Sequence, residues 1–268
     1  MGIANILTIA GSDSGGGAGI QADLKTIMAM GCYGMSAITA LTAQNGLGVS
    51  GIFPASADFV ELQLKTIFAG FSVQAAKTGM LFNAEIIHTV AQNLEHRSFP
   101  LVVDPVSVSQ SGSRLLQEDA VEVLVRELVP LADLLTPNIP EAEMLSSMKI
   151  GDLEGQALAG QKILSLGARA VLVKGGHMEH ADVVTDILCL PGQDPLRLPQ
   201  KAVVTNNNHG TGCTLSAAIA AGLGKGEELV RAVRHAQAFL NRALAQSYAP
   251  GKGCGPVNHA AGLVPVRD

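Results

Sequence analysis

Four residues in the stretch "NNNHGTGCTLSAAIAAGLG", Gly210-Thr211-Gly212-Cys213, place two glycines, a hydroxyl and a thiol ahead of a run of small helix-forming residues. The first N–H groups of a helix lack intrahelical acceptors and sit at the positive end of its dipole. Glycines let an anion approach that backbone closely and let the chain take an unusual turn. The stretch therefore predicts an anion hole suited to a phosphoryl group or an oxyanion, followed by a helix over about 213–223. A thiol in that position is expected to have a lowered pKa. His209 stands four residues before Cys213, which raises a Cys–His nucleophile pair, although His209 precedes the helix that would bring the two together.

Three further groups carry chemistry. Asp104-Pro105 closes an apolar run beside Ser107, Ser109 and Ser111-Gly112. An aspartate there can hold Mg²⁺ or act as a base. Glu141 follows "TPN" at a helix start, where it would equally serve as a first-turn dipole residue. Two carboxylates at neighbouring strand ends suit Mg²⁺, which keeps waters and bridges phosphates. Lys174 ends the strand in "VLVKGGH" and can neutralise a nucleotide phosphate.

The loop "GSDSGGGAG" (11–19) also follows an apolar run and enters a helical one. It is not a Rossmann fingerprint: the glycine spacing fails, and the next strand ends in Thr42 and Gln44 rather than an acid. Nor is it a P-loop, because no Gly-Lys-[Ser/Thr] follows. A close-approach wall of a substrate pocket is the better reading.

These groups need elements to position them. Strands are expected at 5–10, 35–42, 73–78, 101–104, 133–137 and 170–175. Helices are expected at about 18–30, 56–69, 83–95, 116–128, 139–147 and 153–166. Ser56 and Asn83 are candidate N-caps, and Pro140 suits a first helical turn. Such alternation, with strands apolar on both faces, predicts a parallel sheet between helical layers. Ligands then bind beyond the carboxyl ends of the strands. That selects 11–19, Gln44, Lys77 to Met80, Asp104, Asn138 to Glu141, and Lys174 to His177. Residues 183–204 instead predict antiparallel strands with turns at Pro191-Gly192 and around Pro199-Gln200. Two helices, about 213–223 and 226–246, precede a loop at "GKGCGPVNH". No repeat or linker interrupts 1–268, so one domain is expected.

Composition excludes several classes. Of 268 residues, 47% are hydrophobic but only 3% aromatic, so Ala, Val, Leu and Ile must fill a large core. The net charge of -5 comes without a basic block, which argues against nucleic acid. No apolar run reaches the ~20 residues of a membrane span. The opening "MGIANILTIAGSDSG" lacks a signal-peptide pattern, and Ile6 stands where myristoylation needs Ser or Thr. A cytoplasmic protein is expected. Its four cysteines, Cys32, Cys189, Cys213 and Cys254, form no CxxC pair, so free thiols are expected and a zinc site is not. His88, His96, His180, His235 and His259 show no metal-ligand spacing and are expected mostly at the surface.

The segments "TIAGSDSGGGAGIQADLKT", "ITALTAQN", "KTGML", "VVDPV", "LTPNIPEAE", "VLVKGGH" and "HGTGCTLSAAIAA", in this order, resemble the ribokinase superfamily. They are most similar to its vitamin-kinase branch, the hydroxymethylpyrimidine/phosphomethylpyrimidine kinases of thiamine biosynthesis. The match spans about residues 5–259. The resemblance implies an α/β, three-layer αβα ribokinase-like fold with a central, mostly parallel sheet. It implies ATP and Mg²⁺ as cofactors, a homodimer, and two successive phosphorylations: 4-amino-5-hydroxymethyl-2-methylpyrimidine (HMP) to its monophosphate, then to the diphosphate.

By the same resemblance, Gln44 would hydrogen-bond the aminopyrimidine edge, a donor–acceptor match for a side-chain amide. Gly11, Ala18, Met80 and Val106 would form the rest of the substrate wall. Asp104, Asn138 and Lys174 would face ATP, with Asp104 and Glu141 towards the metal. Gly210, Thr211, Gly212 and Cys213 would stabilise the transferring phosphoryl, with Cys213 assisting proton removal. Many superfamily sugar kinases carry Gly-Ala-Gly-Asp there, the Asp being the base. The chain departs from the pattern at Gln110, where Lys is expected in "SKSG", and at Ser107, where Met is common.

Rival readings are a pyridoxal kinase of the same branch, a Cys213/His209 hydrolase or acyltransferase, and a vitamin- or nucleotide-binding protein without turnover.

Overall fold

The computed structural model describes residues 2–107, 112, 115–176 and 182–263. Within them nine strands make one sheet: β1 (Asn5–Asp13), β2 (Tyr33–Asn45), β3 (Gly48–Pro54), β4 (Ala75–Thr78), β5 (Leu101–Val103), β6 (Leu134–Leu135), β7 (Val171–Val173), β8 (Val183–Cys189) and β9 (Leu196–Lys201). Their order is β3-β2-β1-β4-β5-β6-β7-β8-β9. The six from β2 to β7 run parallel, while β3, β8 and β9 each pair antiparallel with their inner neighbour.

The parallel strands read as unbroken apolar runs because both their faces are covered. Residues alternate between two cores with the period of two that a pleated strand imposes. Leu7, Ala76, Val103, Leu135 and Val171 face a layer of α2 (Ala57–Gly70), α3 (Ala84–Leu94), α4 (Glu118–Val123), α5 (Ile139–Ser146) and α6 (Leu153–Leu164). Ile6, Ala75, Val102, Leu134 and Leu172 face α1 (Gly19–Ala29), α7 (Thr211–Gly224) and α8 (Leu229–Ala245). The architecture is three-layered, αβα, as expected.

The expected caps form. Ser56 Oγ accepts from the Phe59 N–H and Asn83 Oδ1 from the Ile86 N–H. Asn138 and Glu141 make a reciprocal capping box at the start of α5, with Pro140 in its first turn.

Five expectations are corrected. Strand β3 was not expected, because Gly48 and Gly51 thin its apolar pattern; it forms as the return arm of a hairpin from β2. Pro199-Gln200 makes no turn: Pro199 lies inside β9 opposite Thr185. A proline is tolerated there because β9 is an edge strand, with one side free of ladder bonds. The 116–128 helix is α-helical only to Val123 and then widens into a π-helical turn at Leu124–Leu128. Helix α7 begins at Thr211, two residues early, because Gly210 takes the left-handed conformation (φ 79°) and turns the chain into it; α8 starts at Leu229 rather than 226.

The chain leaves β1 through α1 to β2 on one side, while β4 lies on the other. That reversal opens a crevice above the carboxyl ends of the strands.

Candidate active site

A cavity of about 560 Å³ occupies that crevice, a size that suits a small-molecule ligand. Every residue that the family resemblance assigned to the site lines it. Gly11 and Ala18 come from the first loop, Gln44 from the end of β2, and Met80 and Val106 from beyond β4 and β5. Asp104, Asn138, Glu141 and Lys174 follow β5, β6 and β7, and Gly210, Thr211, Gly212 and Cys213 open α7. Ser109, Gln110, Ser111, His177 and His180 lie outside the described residues.

The centre of the crevice is an ion pair. Lys174 Nζ lies 2.9 Å from Asp104 Oδ1, both largely buried. Asp104 also accepts from Thr136 Oγ1 at 3.2 Å and from Ser216 Oγ at 3.4 Å, the latter from α7. Burial by itself would lower the Lys174 pKa, but Asp104 and Glu141 outweigh it and hold the ammonium charged. Gly212 sits against this pair: a Cβ there would lie 3.3 Å from Lys174 Nζ and 3.5 Å from Asp104 Oδ2. The absence of a side chain leaves the first turn of α7 bare. Among the described residues, the Gly212 and Cys213 N–H groups have no acceptor.

Glu141 is buried, accepting from the Asn138 N–H at 2.8 Å and the Ser107 N–H at 3.3 Å. Burial pushes its pKa up to about 7; Lys174 opposes this and Asp104 adds to it. It stands in the first turn of α5, as one reading from sequence had it, and it lines the cavity.

Cys213 corrects an expectation. Its pKa is pushed up to about 11, not lowered. Burial is the main cause and outweighs Lys77, which lowers the pKa; Asp23 and Asp104 add to the rise, and the Gly19 N–H that points at the sulfur opposes it. Cys213 is partly buried at the cavity wall, and there desolvation outweighs what the helix N-terminus returns. The Cys213–His209 pair does not form either. His209 Nε2 instead lies 2.9 Å from Asp13 Oδ2.

The ranges selected from sequence held Asp13 and Lys77, but the partners of these and other polar residues were not foreseen. Asp13 gathers the N–H groups of Gly15, Gly17 and Ala18 at 2.8–3.0 Å. An Asp ahead of glycines is a known turn signal and could have marked it. Lys77 and Asp23 form a fully buried pair at 3.1 Å beneath the site, with Thr8 Oγ1 donating to Asp23 at 2.6 Å. Burial would lower the Lys77 pKa, yet Asp23, then Cys213 and Asp104, raise it. His259 is buried, not at the surface, and shares a 3.1 Å hydrogen bond with Thr214 Oγ1. Burial, helped by Lys25 and His209, lowers its pKa to about 4. No spacing pattern marks these contacts, which join distant segments.

No helix of the described residues is long and apolar enough to cross a membrane.

Comparison with known proteins gives the kinship of the chain. A family model described as phosphomethylpyrimidine kinase matches residues 13–258. The hydroxymethylpyrimidine/phosphomethylpyrimidine kinase of Rhizobium meliloti is 49% identical, over 94% of this chain and 96% of that protein. The thiamine biosynthesis bifunctional protein ThiED of Geobacter sulfurreducens is 48% identical over 98% of this chain, which spans only 54% of that longer protein. Among solved structures, the pyridoxal kinase of Staphylococcus aureus in complex with AMP-PCP and pyridoxal superposes with a TM-score of 0.88, at 36% identity over 97% of this chain and 95% of the other. With its motifs in order and the match spanning nearly its whole length, the chain belongs to the phosphomethylpyrimidine kinase family.

Proposed function

We propose that this protein phosphorylates the hydroxymethyl group of 4-amino-5-hydroxymethyl-2-methylpyrimidine from MgATP, then phosphorylates the monophosphate to the diphosphate. The observation that carries the reading is the bare turn at Gly212, set against Lys174 and Asp104 in the same cavity as Gln44. Phosphoryl transfer is chiefly positioning and charge stabilisation. The free N–H groups of Gly212 and Cys213, backed by Gly210 and Thr211, supply hydrogen-bond donors for the transferring oxygens. Lys174 neutralises nucleotide charge, with Asn138 beside it. Gln44 reads the aminopyrimidine edge, with Gly11, Ala18, Met80 and Val106 closing around the ring. Cys213 is a neutral thiol at pH 7, so it can take the hydroxyl proton only in its minor thiolate form, after its own proton has left to solvent.

Mg²⁺ fits the donor set. Asp104 and Glu141 are two carboxylates in one cavity; burial first, and then Asp104, disfavours the charged form of Glu141, which a cation would favour. Among the described residues no cluster of three or more ligating side chains exists. Such an ion would therefore complete its shell with water and phosphate oxygens. It would supply charge neutralisation of the phosphates.

The chain is proposed to act as one kinase domain over 1–268 and as a homodimer in the cytoplasm, with no nucleic-acid partner. Kinship with pyridoxal kinases makes pyridoxal the second substrate to test. ADP release is measured with MgATP and, in parallel, HMP, its monophosphate, pyridoxal or no acceptor. Turnover on both pyrimidines well above pyridoxal is expected. Preference for pyridoxal with the monophosphate inert would overturn the reading and the role given to Gln44.

A further inference from the structure

Two loops from opposite ends of the chain meet through one buried contact. We infer that Asp13 and His209 are a positioning pair that locks the substrate-side glycine loop to the anion hole. The inference rests on the kinase reading for its catalytic consequence.

The geometry is specific. Asp13 and His209 are both buried. With its proton on Nε2, His209 donates to Asp13 Oδ2 at 2.9 Å. The same oxygen accepts from Gly17 N–H at 3.0 Å and Ala18 N–H at 2.8 Å, while Oδ1 accepts from Gly15 N–H at 2.8 Å. Asp13 thus draws its own loop inward and offers a lone pair to the other. His209 is tied at its backbone, its N–H donating to Gly255 O at 3.0 Å. The residue after it, Gly210, turns the chain into α7. Backbone meets backbone without room for a side chain: a Cβ on Gly17 would overlap His209 Cδ2, and one on Gly210 would overlap Gly17 O.

Ala18 lines the substrate side of the cavity, and Gly212 and Cys213 line the phosphoryl side. The pair joins them through a single carboxylate. In-line transfer needs acceptor and donor groups held to fractions of an ångström, and a 1 Å error costs about 10²-fold in rate. Asp13 and His209 also line the cavity, and the Nε2 hydrogen bond ties His209 to Asp13, so its effect runs through the two loops.

The test uses the purified full-length protein. Steady-state kinetics with HMP and MgATP are measured for His209→Leu, His209→Gln, Asp13→Asn and the His209→Leu/Asp13→Asn double variant. Amide exchange by mass spectrometry is followed over 14–19 and 209–213. A Gln amide nitrogen takes the place of Nε2. The expected result is a kcat for H209L at least about tenfold down, with the KM for HMP changed less than about threefold. H209Q should recover most of it, and the double variant should fall no further than about twofold below D13N. Exchange should rise in both segments together. If H209L does not fold, Gly17→Ala takes its place, forcing His209 away while leaving both polar partners.

Unchanged kcat and exchange in the latch-breaking variant would overturn the pairing, as would an H209Q no better than H209L or losses that multiply in the double. Exchange needs no turnover. A wild-type protein inactive on HMP would therefore sink the HMP-kinase reading while the coupled exchange still tested the latch.

Discussion

Lys174 and Asp104, 70 residues apart in sequence, meet at 2.9 Å above strands separated only by β6. The pair is held on both sides: Thr136 and Ser216 donate to the carboxylate, and Gly212 leaves the ammonium uncovered. Its burial makes the two charges interdependent, since removing one leaves the other without compensation.

Lys174→Met should therefore lower kcat by about 10²-fold, the scale of losing one preorganised donor. The KM for ATP should rise, and thermal stability should fall because Asp104 then faces Glu141 alone. Steady-state kinetics and a melting curve check both. Near-wild-type kcat with the protein folded would remove Lys174 from the phosphoryl side.

Cys213 should resist alkylation. With its pKa pushed up to about 11, thiolate is scarce at pH 7 and grows tenfold per unit towards that value. Iodoacetamide labelling of the free protein should be slow at pH 7 and accelerate towards pH 10. Cys213→Ala should lose about 10-fold to 10²-fold in kcat rather than all of it, because proton transfer is a smaller contribution than charge stabilisation. An alanine enzyme at full speed would exclude the thiol from proton removal.

His259 should make the fold acid-sensitive. Its pKa falls from 6.5 to about 4 on folding, so the neutral form is favoured in the native state. Its contribution is complete above pH 6.5 and is lost as pH falls towards 4, about 3 kcal/mol in all. His259→Asn cannot titrate. Denaturant unfolding at pH 7.5, 5.5 and 4.5 should show the wild type losing more stability than the variant. Parallel losses would contradict the assignment.

The Lys77–Asp23 pair is fully buried. Lys77→Met alone should cost about 3–5 kcal/mol, since Asp23 keeps an uncompensated charge. Adding Asp23→Asn should restore most of that, with Thr8 still having an amide oxygen to bond. Urea unfolding of the two variants decides it: a double variant no more stable than the single would show that the loss lies in packing instead.

Much of this was legible in sequence for local reasons. Apolar runs such as "LVV" and "VLV", and Ser56 and Asn83 ahead of helical patterns, depend on neighbours a few residues away. The rule that ligands gather at strand ends then selected Asp104, Asn138 and Lys174 before any contact was seen. The elements that escaped were those whose local signal is weak or double. Strand β3 is interrupted by glycines, and Pro199 marks a turn in most settings but an edge strand here.

The sequence by itself determined which backbone segments turn, which lie flat and which residue types stand at the strand ends, because those follow from side-chain shape and short-range hydrogen bonding. Only the tertiary structure decided the charges and partners. The helix start argued for an acidic Cys213 thiol, but withdrawal from water prevails and raises it. His209 could have paired with Cys213 or lain free; it meets Asp13 because the sheet brings the first loop beneath the last crevice wall. Desolvation and contact across 196 residues are properties of packing in three dimensions, and no spacing along the chain encodes them.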